Sequence, residues 1–151
     1  MRAIGESLKQ FWSRYNIKLR RGASETELRE FEDKYNVLFP DDLKDYFATV
    51  DGFDGSVNWM TDENVITFLS LAGVLPSSGA WSLETPDADS YFVFADFSLS
   101  CHVYMIRLRD DSSLGNPIFI ARDEKPEQIA GSFSEFVQGY LADDYNVLFP
   151  Q

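Results

Sequence analysis

Residues 22–55 read GASETELREFEDKYNVLFPDDLKDYFATVDGFDG, and the first question is where their helices start and stop. Ser24 and Glu27 have the S-x-x-E spacing of a capping box, so a helix is predicted to begin after Ser24. Leu28, Phe31 and Tyr35 form its buried side. Glu25, Glu27, Glu30 and Glu32 lie toward its positive N-terminal half. Asn36 suits the left-handed conformation that ends helices, and Val37-Leu38-Phe39 then returns the chain to the core. Pro40 opens the next helix, whose apolar face is Leu43, Tyr46, Phe47 and Val50. Asp51-Gly52 is predicted to stop it.

Within this stretch lies a word that occurs twice. YNVLFP runs from Tyr35 to Pro40 and again from Tyr145 to Pro150. The flanks do not match: REFEDK precedes one copy and GYLADD the other. Duplication of a domain is therefore not indicated. Each copy follows an amphipathic helix, so the same exit geometry is predicted at both places.

Working outward, Ile4, Leu8, Phe11, Trp12 and Tyr15 form one apolar stripe of an N-terminal helix. Arg20 to Ala23 reads as a loop. Beyond Gly52 the pattern changes to short aromatic or β-branched runs bounded by turn residues. Strands are predicted at Val57–Met60, Val65–Leu69, Tyr91–Phe97, Cys101–Leu108 and Ile118–Ala121. Hairpins are predicted around Ser98-Leu99-Ser100 and over Asp110–Asn116. Leu71 to Pro86 reads as one helical turn followed by a loop through Ser77-Ser78-Gly79. Ser132 and Glu135 form a second capping box, with Phe133, Phe136, Val137, Tyr140 and Leu141 as the stripe of a last helix. The apolar end Val147-Leu148-Phe149 either closes the core or pairs with a second copy; the sequence leaves both open, and with them the oligomeric state.

The chain has 151 residues, 44% of them hydrophobic and 15% aromatic, which suits a single domain with a packed core. No apolar run has the ~18 residues of a membrane span, and the N-terminal residues lack the apolar core of a signal peptide. A cytoplasmic protein is expected. The one cysteine, Cys101, excludes an internal disulfide.

Charge is the most informative bulk property. The formal net charge is −12, yet residues 1–21 carry six Lys or Arg against Glu6 alone. From Asp45 to Ile106 there is no Lys or Arg, while nine Asp or Glu occur. Such a chain repels nucleic-acid phosphates and anionic lipid, so neither is an expected partner. A basic protein partner would be attracted and steered. The bland alternative is that the charge serves solubility.

No phosphate-binding, dinucleotide-binding, nucleophile-elbow or zinc-protease motif is present. His102 and Cys101 are the only residues of their kinds, and as strand neighbours they point to opposite faces, so they do not form a catalytic couple. Soft ligands for a transition metal are too few, and Asp87-Ala-Asp89 lacks the glycine and glutamate of a calcium loop. No metal or other cofactor is expected. A carboxylate pair assembled by folding, as in a hydrolase, is the one acid–base chemistry the composition leaves open. Trp59 and Trp81 are either interface anchors or plain core.

The quoted stretch resembles the opening of the SUKH superfamily. The resembling features are the capped helix with its apolar-Glu pair Phe31-Glu32, the apolar-Pro step Phe39-Pro40, then Leu43, Tyr46-Phe47 and the Asp51-Gly52 stop. The family more often has Leu before the proline. YFVFADFSLSCHVYMIRL is similar to the family's central hairpin and IAGSFSEFVQGYL to its closing helix, so the resemblance spans roughly residues 22–141. It implies an α+β domain: an antiparallel sheet of about five strands flanked by N-terminal helices and one C-terminal helix. It further implies a non-enzymatic protein-binding role. Many bacterial members are immunity proteins that neutralise a cognate toxin, often a nuclease; fungal relatives regulate cell-wall synthesis through protein contacts.

Resemblance and charge meet in one expectation: an acidic inhibitor masks the basic groove of a toxin domain. Asp51, Asp54, Asp62, Glu63, Asp87 and Asp89 are the candidate contacts, with Trp59 or Trp81 as apolar anchor. The alternative is an intracellular scaffold or regulatory interaction domain without a toxin partner.

Overall fold

Both capping serines behave as read. In the computed structural model, which describes residues 3–55 and 61–151, the Ser24 hydroxyl accepts the Glu27 N–H at 3.1 Å and the Glu27 carboxylate accepts the Ser24 N–H at 3.1 Å. Ser132 accepts the Glu135 N–H, but Glu135 reaches back to Gly131 N–H instead of its own cap.

The elements run α1 Ile4–Arg14, β1 Leu19–Arg21, α2 Glu25–Tyr35, α3 Asp41–Thr49, β2 Val50–Phe53, β3 Ile66–Phe68, β4 Leu75–Pro76, α4 Ser77–Ala80, β5 Tyr91–Phe97, β6 His102–Arg107, β7 Ile118–Ala121, β8 Pro126–Ala130, α5 Phe133–Leu141 and α6 Tyr145–Leu148. The class is α+β. The main sheet is antiparallel with order β3-β5-β6-β7-β8, and β4 pairs with the other end of the β5 edge that β3 occupies. β1 and β2 form a separate antiparallel pair.

Several boundaries differ from the sequence reading. Residues 20–21, read as loop, belong to β1. α3 ends at Thr49, and Asp51-Gly52 lies inside β2, so the chain passes from helix to strand without a turn. β8 was not predicted: Glu127 and Gln128 are exposed on a sheet edge, so the segment lacks a strand's apolar alternation. A helical turn occupies Ser77–Ala80, where a loop was read. The predicted strand Val57–Met60 lies outside the described residues.

The repeated word folds in two ways, which corrects the prediction of a common exit. In the first copy Asn36 is left-handed, with φ 52°. Glu32 then fixes the exit, its carboxylate accepting the Phe39 N–H at 2.7 Å while Phe31 stacks on Phe39 at 5.0 Å. In the second copy Tyr145 to Leu148 is itself a helical turn capped by Asp144, and the left-handed residue is Asp143, before the word begins. The flanks decide: no glutamate stands where Glu32 does. This end closes the core, since Leu148 is fully buried, the Tyr104 hydroxyl donates to its carbonyl at 2.7 Å, and Phe149 packs on Phe97.

Strand alternation sorts the sheet into two faces. Phe92, Phe94, Tyr104, Ile106, Ile118 and Ile120 join the helices in the large core, built around Leu8, Trp12, Tyr46, Phe47, Phe133, Phe136 and Tyr140. Tyr91, Val93, Val103, Met105, Phe119 and Ala121 form a smaller cluster on the opposite face. α3 and α5 are joined where they start, because the Asp42 carboxylate accepts both the backbone and hydroxyl protons of Ser134.

Candidate protein-binding site

The predicted contact residues do not form one patch; they divide among three places. Asp51 is the plainest correction. It is 5% exposed and its carboxylate accepts the Leu71 N–H at 2.6 Å, with Arg20 Nε at 3.7 Å. It ties β1, β2 and the turn at Leu71 together, which leaves little of its carboxylate for a partner. Asp54 is half-buried beside it. The cleft there also holds Arg20, Arg21 and Glu27, so its charge is mixed.

The second place gathers Trp81, Asp87 and Asp89. Trp81 donates its indole N–H to the Asp123 carbonyl at 2.7 Å, and Glu84 N–H donates to the Glu124 carbonyl. The segment thus straps the smaller cluster, with Trp81 and Leu83 packed on it. Trp81 is half-buried and acts first as cover for the sheet. Asp89 is exposed and accepts the Ser78 N–H at 3.2 Å. Asp87 is exposed but lies 3.6 Å from the Arg107 guanidinium. The Lys/Arg-free run is therefore partly neutralised by Arg20 and Arg107 from outside it. Trp59 lies outside the described residues.

The third place is a cleft of about 170 Å³ lined by Phe11, Tyr15, Asp62, Glu63, Asn64, Tyr140, Asp143 and Tyr145. α1 and the residue that ends it supply Phe11 and Tyr15, α5 and α6 supply two more rings, and the segment before β3 supplies Asp62, Glu63 and Asn64. A chain of bonds holds it. Trp12 donates its indole N–H to the Tyr140 hydroxyl at 2.7 Å, and Tyr140 donates to the Asp62 carboxylate. Asp62 also accepts the N–H groups of Asn64 and Ile66 at 2.8 and 2.9 Å. Asn64 donates to Asp143 at 3.0 Å and accepts from Tyr145 at 3.2 Å. Burial pushes the Tyr140 phenol far above its usual range, and the neighbouring Asp62 charge pushes further. Tyr140 is thus a permanent donor and Asp62 is fixed as its acceptor. Glu63, Asp143 and Tyr145 are exposed at the rim.

Sequence reasoning found Asp62 and Glu63 and missed the four rings, Asn64 and Asp143. Asn64 is the next residue along, but the four rings and Asp143 lie about fifty positions before and eighty after that pair, and no local signal joins them.

Elsewhere, Cys101 is exposed at the end of the β5–β6 turn. His102 stacks on Phe97, and its Nδ1 has no hydrogen-bond partner among the described residues. Burial lowers its pKa, and Arg122 lowers it further. Among the described residues no group of His, Cys, Asp or Glu is arranged to hold a metal ion, and no helix is long and apolar enough to cross a membrane.

Two buried carboxylates, Asp51 and Asp96, and the half-buried Asp62 make stability depend on pH. Burial raises the pKa values of Asp51, Asp62 and Asp96, against the hydrogen bonds that lower them. A raised carboxylate binds its proton more tightly in the folded chain. Its stabilising share is full below the unfolded value of about 4 and is lost as pH rises through the folded value. Glu27 and Asp111 shift the opposite way but are fully exposed, so the buried groups dominate. The urea midpoint is expected to rise between pH 7 and about pH 5. Asp96→Asn should flatten that rise, because one oxygen of Asp96 is buried without a hydrogen-bond partner among the described residues. A midpoint that falls steadily on acidification contradicts this ordering.

Comparison with known proteins agrees with the fold. The model of the SMI1 / KNR4 family (SUKH-1) matches residues 22–139. The chain belongs to that family, a group of immunity-type or regulatory domains that are generally non-catalytic. No curated protein matches it.

Proposed function

We propose that this chain is a cytoplasmic, non-enzymatic immunity protein that binds a basic toxin domain and masks its active groove. The observation that carries the reading is a SUKH-1 domain without Lys or Arg between Asp45 and Ile106. Within that run Glu63, Asp87 and Asp89 are exposed. A nuclease toxin presents a basic groove for phosphates; an acidic inhibitor is steered to it and excludes the nucleic acid. Asp54, Asp62, Glu63, Asp87 and Asp89 are the contacts this reading retains, and Asp51 is withdrawn. Ion-paired Asp87 contributes less than Glu63.

The test is recovery of the partner from the native cell with this chain as bait, read by mass spectrometry. One basic toxin domain, encoded beside this gene, is the expected result. Recovery of housekeeping or signalling proteins alone would overturn the toxin reading in favour of a regulatory scaffold.

A further inference from the structure

We propose that the cleft between α1, the segment before β3 and the α5–α6 turn is the receptor for one arginine side chain of the partner. This names the contact within the binding role proposed above and rests on it. Three properties of the cleft carry it.

Its size comes first. About 170 Å³ is below the roughly 300–1,000 Å³ of a small-molecule pocket, so it takes a side-chain head and not a cofactor or a strand. Its walls come second. Phe11, Tyr15 and Tyr145 offer ring faces and edges over the buried Tyr140, and Phe11 packs against Tyr15 at 5.1 Å and Tyr140 at 5.7 Å. A guanidinium stacks on such rings with little loss of hydration. The chain makes such contacts itself: Arg14 Cζ lies 5.7 Å from the centre of the Phe11 ring, at the edge of this cleft, and Arg107 Cζ 5.1 Å from that of Tyr91.

Charge comes third. Asp62, Glu63 and Asp143 line the cleft, and no Lys or Arg lines it among the described residues. The other two clefts holding predicted contacts differ. One contains Arg20 and Arg21, and the other has Asp89 as its only acidic lining residue. Asp62 is already held by Tyr140 and two backbone N–H groups, so it sets the field at the floor while Glu63 and Asp143 receive the fork of donors. Arginine suits this better than lysine, since a planar fork can stack and reach two carboxylates together.

The probe is the tripeptide Ac-Gly-Arg-Gly-NH2, with its citrulline counterpart as the neutral isostere. Binding is followed by aromatic proton–carbon NMR at low salt. Saturable shifts confined to Tyr15, Tyr140, Tyr145 and Phe11 are expected, with citrulline at least about tenfold weaker. The double variant E63Q/D143N should weaken the arginine peptide by a similar factor. Both side chains are exposed, Asn keeps the left-handed φ of Asp143, and its amide oxygen can still accept the Asn64 bond, so the urea midpoint should match that of the parent. Equal binding of citrulline, shifts elsewhere on the protein, or an unaffected double variant would overturn the cleft assignment. The two proposals fail separately. A toxin neutralised as well by E63Q/D143N as by the parent removes the arginine receptor and leaves immunity standing. Arginine binding in the cleft with no toxin partner removes immunity and leaves the receptor.

Discussion

Trp12→Ala is expected to destabilise the protein by about 3–5 kcal/mol, a large part of the roughly 5–15 kcal/mol a domain of this kind holds. Trp12 is fully buried. Its ring sits 4.9 Å from both Phe53 and Phe68 and 6.2 Å from both Tyr46 and Tyr140. Removing it opens a cavity where α1, β2, β3 and α5 meet, and leaves the Tyr140 hydroxyl without its indole donor. Tyr46→Phe is the matched control. Tyr46 is as deeply buried, but its hydroxyl meets only the Gly52 N–H, without the geometry of a normal hydrogen bond, so losing it should change stability by less than about 1 kcal/mol. Urea unfolding of the two variants checks both expectations. Equal losses would contradict this ordering of a buried ring against a hydroxyl that makes no normal hydrogen bond.

Gly22→Ala is expected to cost about 3 kcal/mol although it adds one methyl group. A β-carbon at Gly22 would lie 1.9 Å from the Ala48 carbonyl oxygen and 2.6 Å from its carbon. Both are backbone atoms of α3, so no side chain can turn aside. The neighbouring Ala23 N–H is bonded to the Phe47 carbonyl at 2.7 Å, and β1 is paired to β2 one residue earlier. The crossing is therefore pinned on both sides. Gly52 presents the same problem with a positive φ of 71°, its added carbon meeting the Leu69 carbonyl oxygen at 2.5 Å. A loss below about 0.5 kcal/mol for Gly22→Ala, within the range of ordinary surface changes, would contradict the close crossing.

Gly22 also shows what kind of information the sequence holds. The caps at Ser24 and Ser132, the exit at Asn36 and the hairpin at Ser98 to Ser100 are decided within a few residues, and each was readable. β8 was not, because an edge strand carries polar side chains and its pairing partner, β7, supplies the order. The second YNVLFP was misread because its conformation is set by Asp143 and Asp144 before it. Asp51 looked like an exposed turn residue; it is buried because β2 follows α3 directly and Leu71 returns to meet it.

The candidate site divides in the same way. Acidity between Asp45 and Ile106 was visible, and it pointed to Glu63 and Asp89 on the surface. It could not reveal that Arg107 reaches Asp87 or that Arg20 reaches Asp51. Nor could it bring Phe11 and Tyr15 to Tyr140 and Tyr145. That assembly is made by tertiary bonds, chiefly Trp12 to Tyr140, Tyr140 to Asp62 and Asn64 to Asp143.

The central claim is neutralisation, and a growth assay measures it most directly. The toxin domain recovered with this chain is induced in a sensitive cell, with or without co-expression of the chain. Immunity predicts that growth stops with the toxin alone and continues when the chain is present. Growth that stops equally in both cultures, with the chain expressed and folded, would contradict it.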